Sequence, residues 1–275
     1  MMNRRSWTST ILLGLVVLLS ACATVPHTGR KQLHLISDSE MRAMSQAQYS
    51  EVVAQSTLSD DQEAVADLRR IGGRIQGAVE QYFENIGRSY ELTGYEWEFN
   101  LIESEQVNAW AMPGGKVAFY TGILPICQDE NGIAVVMGHE IAHAIAEHGN
   151  ERMSQALLVQ MGGMALSAAV RDKPQETQAL WMGAFGLGAT VGVMLPFSRT
   201  QESEADYLGL IFMSMAGYDP NHAVTFWQRM ARMKQEQGGG VPPEFLSTHP
   251  ADATRVRKIR ENLPEALTHY KPGSQ

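Results

Sequence analysis

The sequence has few cysteines and no excess of basic residues, and each of these absences excludes a class of protein. Its 275 residues include only two cysteines, Cys22 and Cys127, which excludes a framework of disulfide bonds. Acidic residues outnumber basic ones by 30 to 22, so the formal net charge is −8, and no basic cluster stands out. An acidic chain without a basic patch is a poor candidate for binding nucleic acid, and we expect no such partner.

Long apolar runs are also missing. Residues 11–19 form a run of nine, whereas a transmembrane helix needs about 20 residues. Residues 157–170 and 179–195 are rich in Gly, Ala and Met but are also short for a span. We predict a tightly packed helical hairpin there, with bilayer contact as the alternative, because Gly188 and Gly192 are spaced for close helix packing. Val191 stands where a dinucleotide-binding fingerprint needs its third glycine, so we expect no nucleotide either.

The N-terminus resembles the signal peptide of a bacterial lipoprotein, with bounds 1–21. Arg4 and Arg5 precede the apolar run, and Leu19-Ser-Ala-Cys22 resembles a lipobox, whose cysteine is lipidated. Ordinary cleavage after Ala23 is the alternative. Several acyl chains on Cys22 would anchor the protein to a membrane. The absence of aspartate after Cys22 then indicates the periplasmic face of the outer membrane. Residues 22–36 are polar and turn-rich, and we expect a tether.

A small antiparallel sheet is predicted in the middle of the chain. Apolar and polar residues alternate over residues 95–103, which favours a half-buried strand. Residues 107–112 and 116–120 flank Pro113-Gly-Gly115, a pattern typical of a hairpin. An exposed edge strand of such a sheet can pair with an extended peptide, although a purely structural hairpin is the alternative.

The next segment carries the central motif, His139-Glu-Ile-Ala-His143. Two histidines four residues apart lie on one face of a helix, as two imidazole ligands of one zinc ion must. Glu140 can then stand beside a metal-bound water and take its proton. The surrounding residues are apolar almost all round, so the helix should be buried and its polar groups need partners. Core histidines satisfied by hydrogen bonds are the alternative.

A second acidic segment supplies candidates for the remaining ligand. Glu202 and Asp206 share one helix face at i, i+4 spacing. Glutamate is an acceptable third zinc ligand, and a zinc-binding histidine wants a carboxylate on its other nitrogen. Taken alone, these residues could equally be surface carboxylates.

Four separated motifs together resemble one zinc metalloprotease family, which contains the CAAX prenyl protease, the mitochondrial overlapping-activity protease and bacterial periplasmic lipoprotein proteases. The resemblance implies a zincin core that hydrolyses peptide bonds, with one zinc ion per chain held by His139, His143 and Glu202. It also implies that Glu140 is the general base and that Asp206 orients His139. The motifs are Asn108-Ala-Trp-Ala-Met-Pro-Gly-Gly115, His139-Glu-Ile-Ala-His143, Ser198-Arg199 with Glu202-Ser-Glu-Ala-Asp206, and Thr248-His-Pro250 with Arg255.

The same resemblance places further residues around the reaction. Asn108, Ala109 and Trp110 would line the substrate-binding strand, and His249 and Arg255 would lie near the reacting carbonyl as catalytic residues. His249 has two interpretations: a fourth zinc ligand that holds the enzyme off, or a donor to the tetrahedral intermediate. We favour the first because the preceding loop, residues 238–243, combines three glycines with two prolines.

Together these patterns predict an α+β, mainly helical protein with a zincin-like core and a small antiparallel sheet, forming a single domain over residues 37–275. We expect a membrane-anchored periplasmic zinc metalloendopeptidase (EC 3.4.24 type) that cleaves misfolded or unassembled envelope proteins. An envelope assembly factor or chaperone whose zinc site is largely closed, and a zinc-free structural lipoprotein, are the alternatives.

Overall fold

The computed structural model describes residues 22–25, 28–173, 175–189, 195–236, 243–251 and 253–272. The predicted signal peptide, Gly192 and residues 238–242 lie outside these ranges. Helices dominate the described residues, which confirms the mainly helical α+β class. They are α1 (Asp38–Gln55), α2 (Gln62–Asn85), α3 (Leu124–Cys127), α4 (Glu130–Ile145), α5 (His148–Val170), α6 (Gln175–Ala189), α7 (Leu195–Met215), α8 (His222–Glu236), α9 (Glu244–Thr248) and α10 (Ala253–His269).

The chain divides into two compact units. The first comprises Met1–Met41 and Glu147–Ser198, and the second comprises Arg42–Ala146 and Arg199–Gln275. The domain boundary expected at residue 37 therefore lies inside the first unit.

In the first unit, the segment expected to be a tether is folded. Strand β1 (Cys22–Thr24) pairs antiparallel with β2 (Lys31–Leu33). The polar residues that suggested a tether have partners on α5. Arg30 binds both oxygens of the Glu151 carboxylate at 2.8 Å, and the Leu35 amide donates to Ser154 Oγ at 2.9 Å. These bonds hold Arg30 and Leu35 against α5.

The predicted helical hairpin of the first unit is formed by α5 and α6. Their close packing is visible at Gly162, where a Cβ atom would lie 3.0 Å from the ring of Phe185. Helix α5 begins at His148, nine residues before the expected start, and its 23 residues are long and apolar enough to cross a bilayer. Length and composition are weak grounds for a membrane span, but the judgement that the segment is too short was wrong.

The second unit contains a three-stranded sheet in the order β3 (Glu98–Ile102), β5 (Lys116–Tyr120), β4 (Ala109–Met112). Strands β4 and β5 form the predicted antiparallel hairpin, with Gly114 and Gly115 at φ of 92° and 86° in its turn. Strand β3 pairs with β5 in parallel. The alternating pattern of residues 95–103 predicted a strand correctly, but alternation determines which face is buried and not which partner the strand takes.

The core of this unit surrounds α4. Asp129 begins the helix, because its side chain accepts a hydrogen bond from the Gly132 amide at 2.8 Å. Almost every later residue of α4 is buried, as its composition predicts. Helix α2 packs against it with an apolar stripe at i, i+4 spacing that includes Ile71, Ile75 and Val79. Strand β4 also packs against α4, so the helix lies between these two elements.

Candidate metal centre

Helix α4 presents His139 and His143 on one face. Their Nε2 atoms lie 3.1 Å apart, and the two rings meet edge to face. His139 is buried and His143 is partly exposed. One turn of helix thus brings two imidazole nitrogens to the same point, as the sequence spacing predicts.

Two glycines let α7 approach this point. A Cβ atom on Gly138 would lie 2.8 Å from the carbonyl oxygen of Gly209, and one on Gly209 would lie 2.9 Å from the Gly138 carbonyl carbon. Real Cβ atoms do not approach backbone atoms so closely, so α4 and α7 can cross here only because neither residue has a side chain. Our sequence analysis missed both glycines, although Gly138 directly precedes His139.

The crossing brings Glu202 to the two histidines. Its Oε1 lies 3.3 Å from His143 Nε2, and its Oε2 lies 3.5 Å from His139 Nε2. His249, at the C-terminal end of α9, joins from a distant part of the sequence. Its Nδ1 lies 3.2 Å from His139 Nε2 and 2.9 Å from Glu202 Oε1. The ligand atoms of all four residues lie within 4.8 Å of one another.

This donor set fits a divalent metal such as zinc. Zinc binds histidine nitrogen and carboxylate oxygen at about 2.0–2.2 Å in a tetrahedron, whose ligand atoms are then about 3.3 Å apart. Five distances between nitrogen and oxygen atoms of these residues, 2.9 to 3.5 Å, lie around that value. Three imidazoles and one carboxylate are also ligands that zinc prefers.

Glu140 lies beside the cluster without belonging to it. Its side chain is buried, and its Oε1 accepts no hydrogen bond from any residue that the structure describes. The Nε2 atom of His249 lies 3.5 Å from this oxygen. Burial raises the pKa of the Glu140 carboxyl, against the opposing effects of His249 and His139. A buried carboxylate with a raised pKa and a free oxygen is suited to accepting a proton.

Asp206 and Arg255 support the cluster. Asp206 Oδ1 is 3.0 Å from His139 Nδ1, where a carboxylate fixes the orientation of a ligating imidazole. The Arg255 guanidinium donates to both Asp206 oxygens at 2.7 and 2.8 Å and pairs with Glu202 at 2.9 Å. We expected Arg255 near the reacting carbonyl. In the structure it is buried in ion pairs with two carboxylates, a geometry that positions those carboxylates.

The charges of the site are strongly coupled. Burial alone would raise the pKa of Asp206, but the Arg255 guanidinium and His139 hold it below its usual value. For His139, burial and Arg255 lower the pKa, whereas hydrogen bonds to Asp206 and Glu202 raise it, with a net value of about 9. Without a metal His139 is therefore protonated at neutral pH, so a metal ion must displace a proton to bind.

Trp227 on α8 lies underneath the site and was not predicted. Its ring is fully buried, with the Arg255 guanidinium carbon 3.3 Å from the ring centroid and the His139 ring at 5.6 Å. Trp227 also stacks on Phe245 at 5.9 Å, and Phe245 in turn contacts His249 at 4.8 Å. No motif contains Trp227. The sequence shows only that it is an aromatic residue in the apolar stripe of a helix, which does not distinguish it from other core residues.

The proposed substrate strand is an edge strand of the sheet. Asn108 precedes β4, and Ala109 and Trp110 begin it, with Ala109 buried and Trp110 half-buried against Tyr49. The amide of Phe245 donates to the carbonyl of Val107 at 3.1 Å, which ties α9 to the start of this strand. The structure thus brings the strand and the His249 segment together, and the binding role of the three residues stays a prediction.

Comparison with known proteins agrees with this geometry. The model of peptidase family M48 matches residues 70–263, which include every residue of the metal centre. The chain belongs to peptidase family M48. This membership confirms the resemblance seen in the sequence and implies that the donor cluster holds a metal.

Several M48 relatives are similar over much of the chain. The mitochondrial metalloendopeptidase OMA1 of Schizosaccharomyces pombe is 39% identical over 64% of this chain and 49% of its own length. OMA1 of Saccharomyces cerevisiae is 36% identical over 66% of this chain and 51% of its own length. The beta-barrel assembly-enhancing protease of Yersinia pestis is 28% identical over 81% of this chain and 48% of its own length. The chain thus spans about half the length of the curated relatives it matches.

Proposed function

We propose that this protein is a zinc-dependent metalloendopeptidase. The observation that carries the proposal is the cluster of His139, His143, Glu202 and His249. Beside it lies the Glu140 carboxylate, whose Oε1 accepts no hydrogen bond from the described residues. Zinc held by His139, His143 and Glu202 would polarise the scissile carbonyl and lower the pKa of the attacking water.

The protein's own groups would carry the proton and the substrate. Glu140 takes a proton from the attacking water and returns it to the leaving amine, a role supported by its raised pKa and free oxygen. Asp206, held by Arg255, keeps His139 in the orientation that a ligand needs. An extended peptide would pair with the free edge of β4, next to Asn108.

His249 sets the resting state in this proposal. A catalytic zinc site keeps one position open, whereas four protein ligands close it. The Nδ1 atom of His249 lies 2.9 Å from Glu202 Oε1 and 3.2 Å from His139 Nε2, which supports a role as a fourth ligand. We infer that the protease rests in a closed form and becomes active when His249 withdraws.

We further propose that the protein works in the bacterial envelope, where it degrades misfolded or unassembled proteins. The lipobox-like sequence ending at Cys22 supports a lipoprotein at the periplasmic face of the outer membrane. The name of the Yersinia relative refers to β-barrel assembly, which favours an envelope, whereas the OMA1 relatives are named as mitochondrial.

One observation favours a second function. The fourth donor, His249, is the feature expected of an envelope assembly factor whose zinc site is largely closed to catalysis. That protein would bind zinc and client proteins without turnover.

The test measures hydrolysis and zinc together. We expect Glu140→Gln to lower hydrolysis of an unfolded protein such as casein by a factor of about 10²–10⁴ while zinc content stays at one per chain, because we propose that the residue acts as base and not as ligand. Glu130→Gln is the matched control: the same change at the exposed start of the same helix should leave both values unaltered.

Two results would count against the proposal. Zinc loss in Glu140→Gln would make Glu140 a ligand. Zinc binding by the wild-type chain without casein hydrolysis, even after His249→Ala, would favour the assembly factor. The Glu140→Gln chain, expressed in its own envelope, also serves as a trap, and proteins retained by it but not by Glu130→Gln are candidate substrates.

A further inference from the structure

Helix α5 buries polar residues in its first two turns and exposes apolar ones along its later turns. The buried side chains of its first two turns are all polar, and several bind the segment that follows β2. Asn150 donates to the carbonyl of Ile36 at 2.7 Å, and Ser154 accepts from the Leu35 amide. These buried residues are His148, Asn150, Glu151, Ser154 and Gln155. Such a helix is the reverse of a normal amphipathic helix in a water-soluble domain.

The exposed side of α5 is a stripe of methionine and leucine. Met153, Leu157, Met161 and Met164 follow one another at spacings of four, four and three residues, so they share one helix face. They are 40%, 41%, 58% and 59% exposed. The stripe covers eleven residue steps, or about 16 Å of helix. A contiguous exposed apolar surface of this kind marks an interaction site.

The partner helix α6 also exposes apolar side chains. Leu180, Trp181 and Met182 are 72%, 55% and 37% exposed. The turn between the helices carries Arg171, Asp172 and Lys173, and the exposed Arg171 guanidinium lies 3.7 Å from the Asp172 carboxylate. Exposed leucine, methionine and tryptophan side chains are typical of helices that lie in a membrane interface.

The chain leading into this unit indicates which partner covers the surface. Residues 1–21, with their apolar run, lead directly to Cys22, where β1 begins. Cys22 pairs with Leu33, and Leu35, two residues later, is bonded to Ser154 on α5. The backbone of Cys22 is therefore about 15 Å or less from α5, given the spacing of strands and residues in a sheet.

We propose that the α5–α6 hairpin is a membrane-docking surface that lays Met161, Met164 and Trp181 into the interface of a phospholipid bilayer. The inference rests on the envelope location in the proposed function, because that location supplies the bilayer. The hairpin adds a second contact to the single anchor at Cys22, and two contacts hold a unit at a membrane far more firmly than one.

The experiment reads out Trp181 directly. The full chain carries Cys22→Ala, which removes the acyl group, and is mixed with vesicles of phosphatidylethanolamine and phosphatidylglycerol that have brominated acyl chains. The same chain with Trp181→Phe is measured in parallel. The difference between the two emission spectra isolates Trp181 from the other tryptophans, including Trp7 in the leader.

We expect vesicles to quench the Trp181 emission and shift it to shorter wavelength. Met161→Gln with Met164→Gln should lower the partition coefficient about tenfold or more, because each removes an apolar side chain from the interface. Met44→Gln with Leu267→Gln is the matched control in the second unit, at positions 43% and 41% exposed, and should change nothing. Zinc content of each variant confirms that the fold is intact.

Two results would overturn the inference. One is Trp181 emission that does not respond to vesicles at any concentration. The other is a dimer in light scattering that Met161→Gln with Met164→Gln dissolves, since this assigns the surface to a second copy of the chain. Casein hydrolysis on the same samples separates the two proposals: a chain without hydrolysis whose Trp181 is still quenched loses the protease assignment and keeps the docking surface.

Discussion

The charge of the Glu202 side chain depends on the residues around it. It contacts three imidazoles and the Arg255 guanidinium within 3.5 Å. Burial opposes its charge, but His143 and the other imidazoles hold the pKa of the carboxyl far below its usual range. We therefore expect Glu202→Ala to lose zinc, measured by atomic absorption after dialysis, because it removes a ligand from the cluster.

The control for this prediction lies two residues away. Glu204 is also buried on α7, but it does not belong to the cluster of candidate ligands. Glu204→Ala should keep one zinc ion per chain, whatever its effect on stability. Zinc retained in Glu202→Ala and lost in Glu204→Ala would show that we have assigned the wrong carboxylate.

Single residues also show what the sequence could and could not reveal. The pairing of His139 with His143 follows from helix periodicity, which is a local property. Glu202 was assigned to the metal only through the resemblance to the zinc metalloprotease family. The cation–π contact between Arg255 and Trp227, at 3.3 Å, joins helices whose residues are separated by 28 positions, and no periodicity encodes it. The ion pairs of Arg255 were missed for the same reason: its partners are known only once α7 and α10 are packed.

At the scale of elements, the crossing of α4 and α7 determines whether the site forms. Gly138→Ala would place a methyl group 2.8 Å from the Gly209 carbonyl oxygen, and both partners are helix backbone that cannot move independently. We expect a loss of about 1–3 kcal/mol in the free energy of unfolding, measured with urea, together with weaker zinc binding.

Gly77 is the matched control, since it lies in a helix and a Cβ atom added to it would have no neighbour within 4 Å. Gly77→Ala should stabilise the protein by about 0.5–1 kcal/mol, because alanine favours helix. A Gly138→Ala variant as stable as Gly77→Ala, with normal zinc binding, would mean that the helices do not touch as described.

The short helix α9 carries a third prediction, because it delivers His249 to the metal centre. As a fourth ligand His249 holds the enzyme off, and His249→Ala should raise casein hydrolysis with zinc retained. As a donor to the tetrahedral intermediate it would help catalysis, and the same change should lower the rate about 10²–10³-fold. The position of Nδ1 among the ligand atoms supports the first result.

His269→Ala, at the far end of α10, controls for the loss of a histidine outside the site. A large fall in rate for His249→Ala with normal zinc content would make His249 a catalytic donor. A rate of casein hydrolysis equal to that of His269→Ala would show that His249 is neither an inhibitory zinc ligand nor a catalytic donor.

Element predictions from the sequence succeeded where the buried face is apolar. Strand β5 and helix α4 follow from their patterns, and the hairpin turn follows from Pro113 and two glycines. They failed where polar groups are buried. The start of α5 at His148 and the β1–β2 pair were missed because Arg30, Glu151 and Ser154 find their partners only in the folded chain. A sequence shows polarity, but it does not show which polar groups find partners.

At the scale of the whole molecule, the last prediction concerns the proposed attachment of the chain to a membrane. The acyl chains expected on Cys22 contribute about 0.8 kcal/mol per buried methylene, so several chains give lasting attachment. The interfacial hairpin alone should bind reversibly. The wild-type chain should therefore stay in the membrane fraction after salt washing and show the added mass of an acylated cysteine by mass spectrometry.

Cys22→Ala separates these contributions. It should abolish the acyl mass and leave a chain that washes off membranes, whereas Cys127→Ala, at a buried thiol, should keep both the acyl mass and the retention. Because Ala21 and Ala23 still meet the small-residue rule, ordinary cleavage can trim this chain, and its mass shows whether that has happened. A trimmed, unacylated chain that resists washing like the wild type would mean that the hairpin anchors the protein by itself. A wild-type chain without acyl mass would show that the lipobox prediction is wrong.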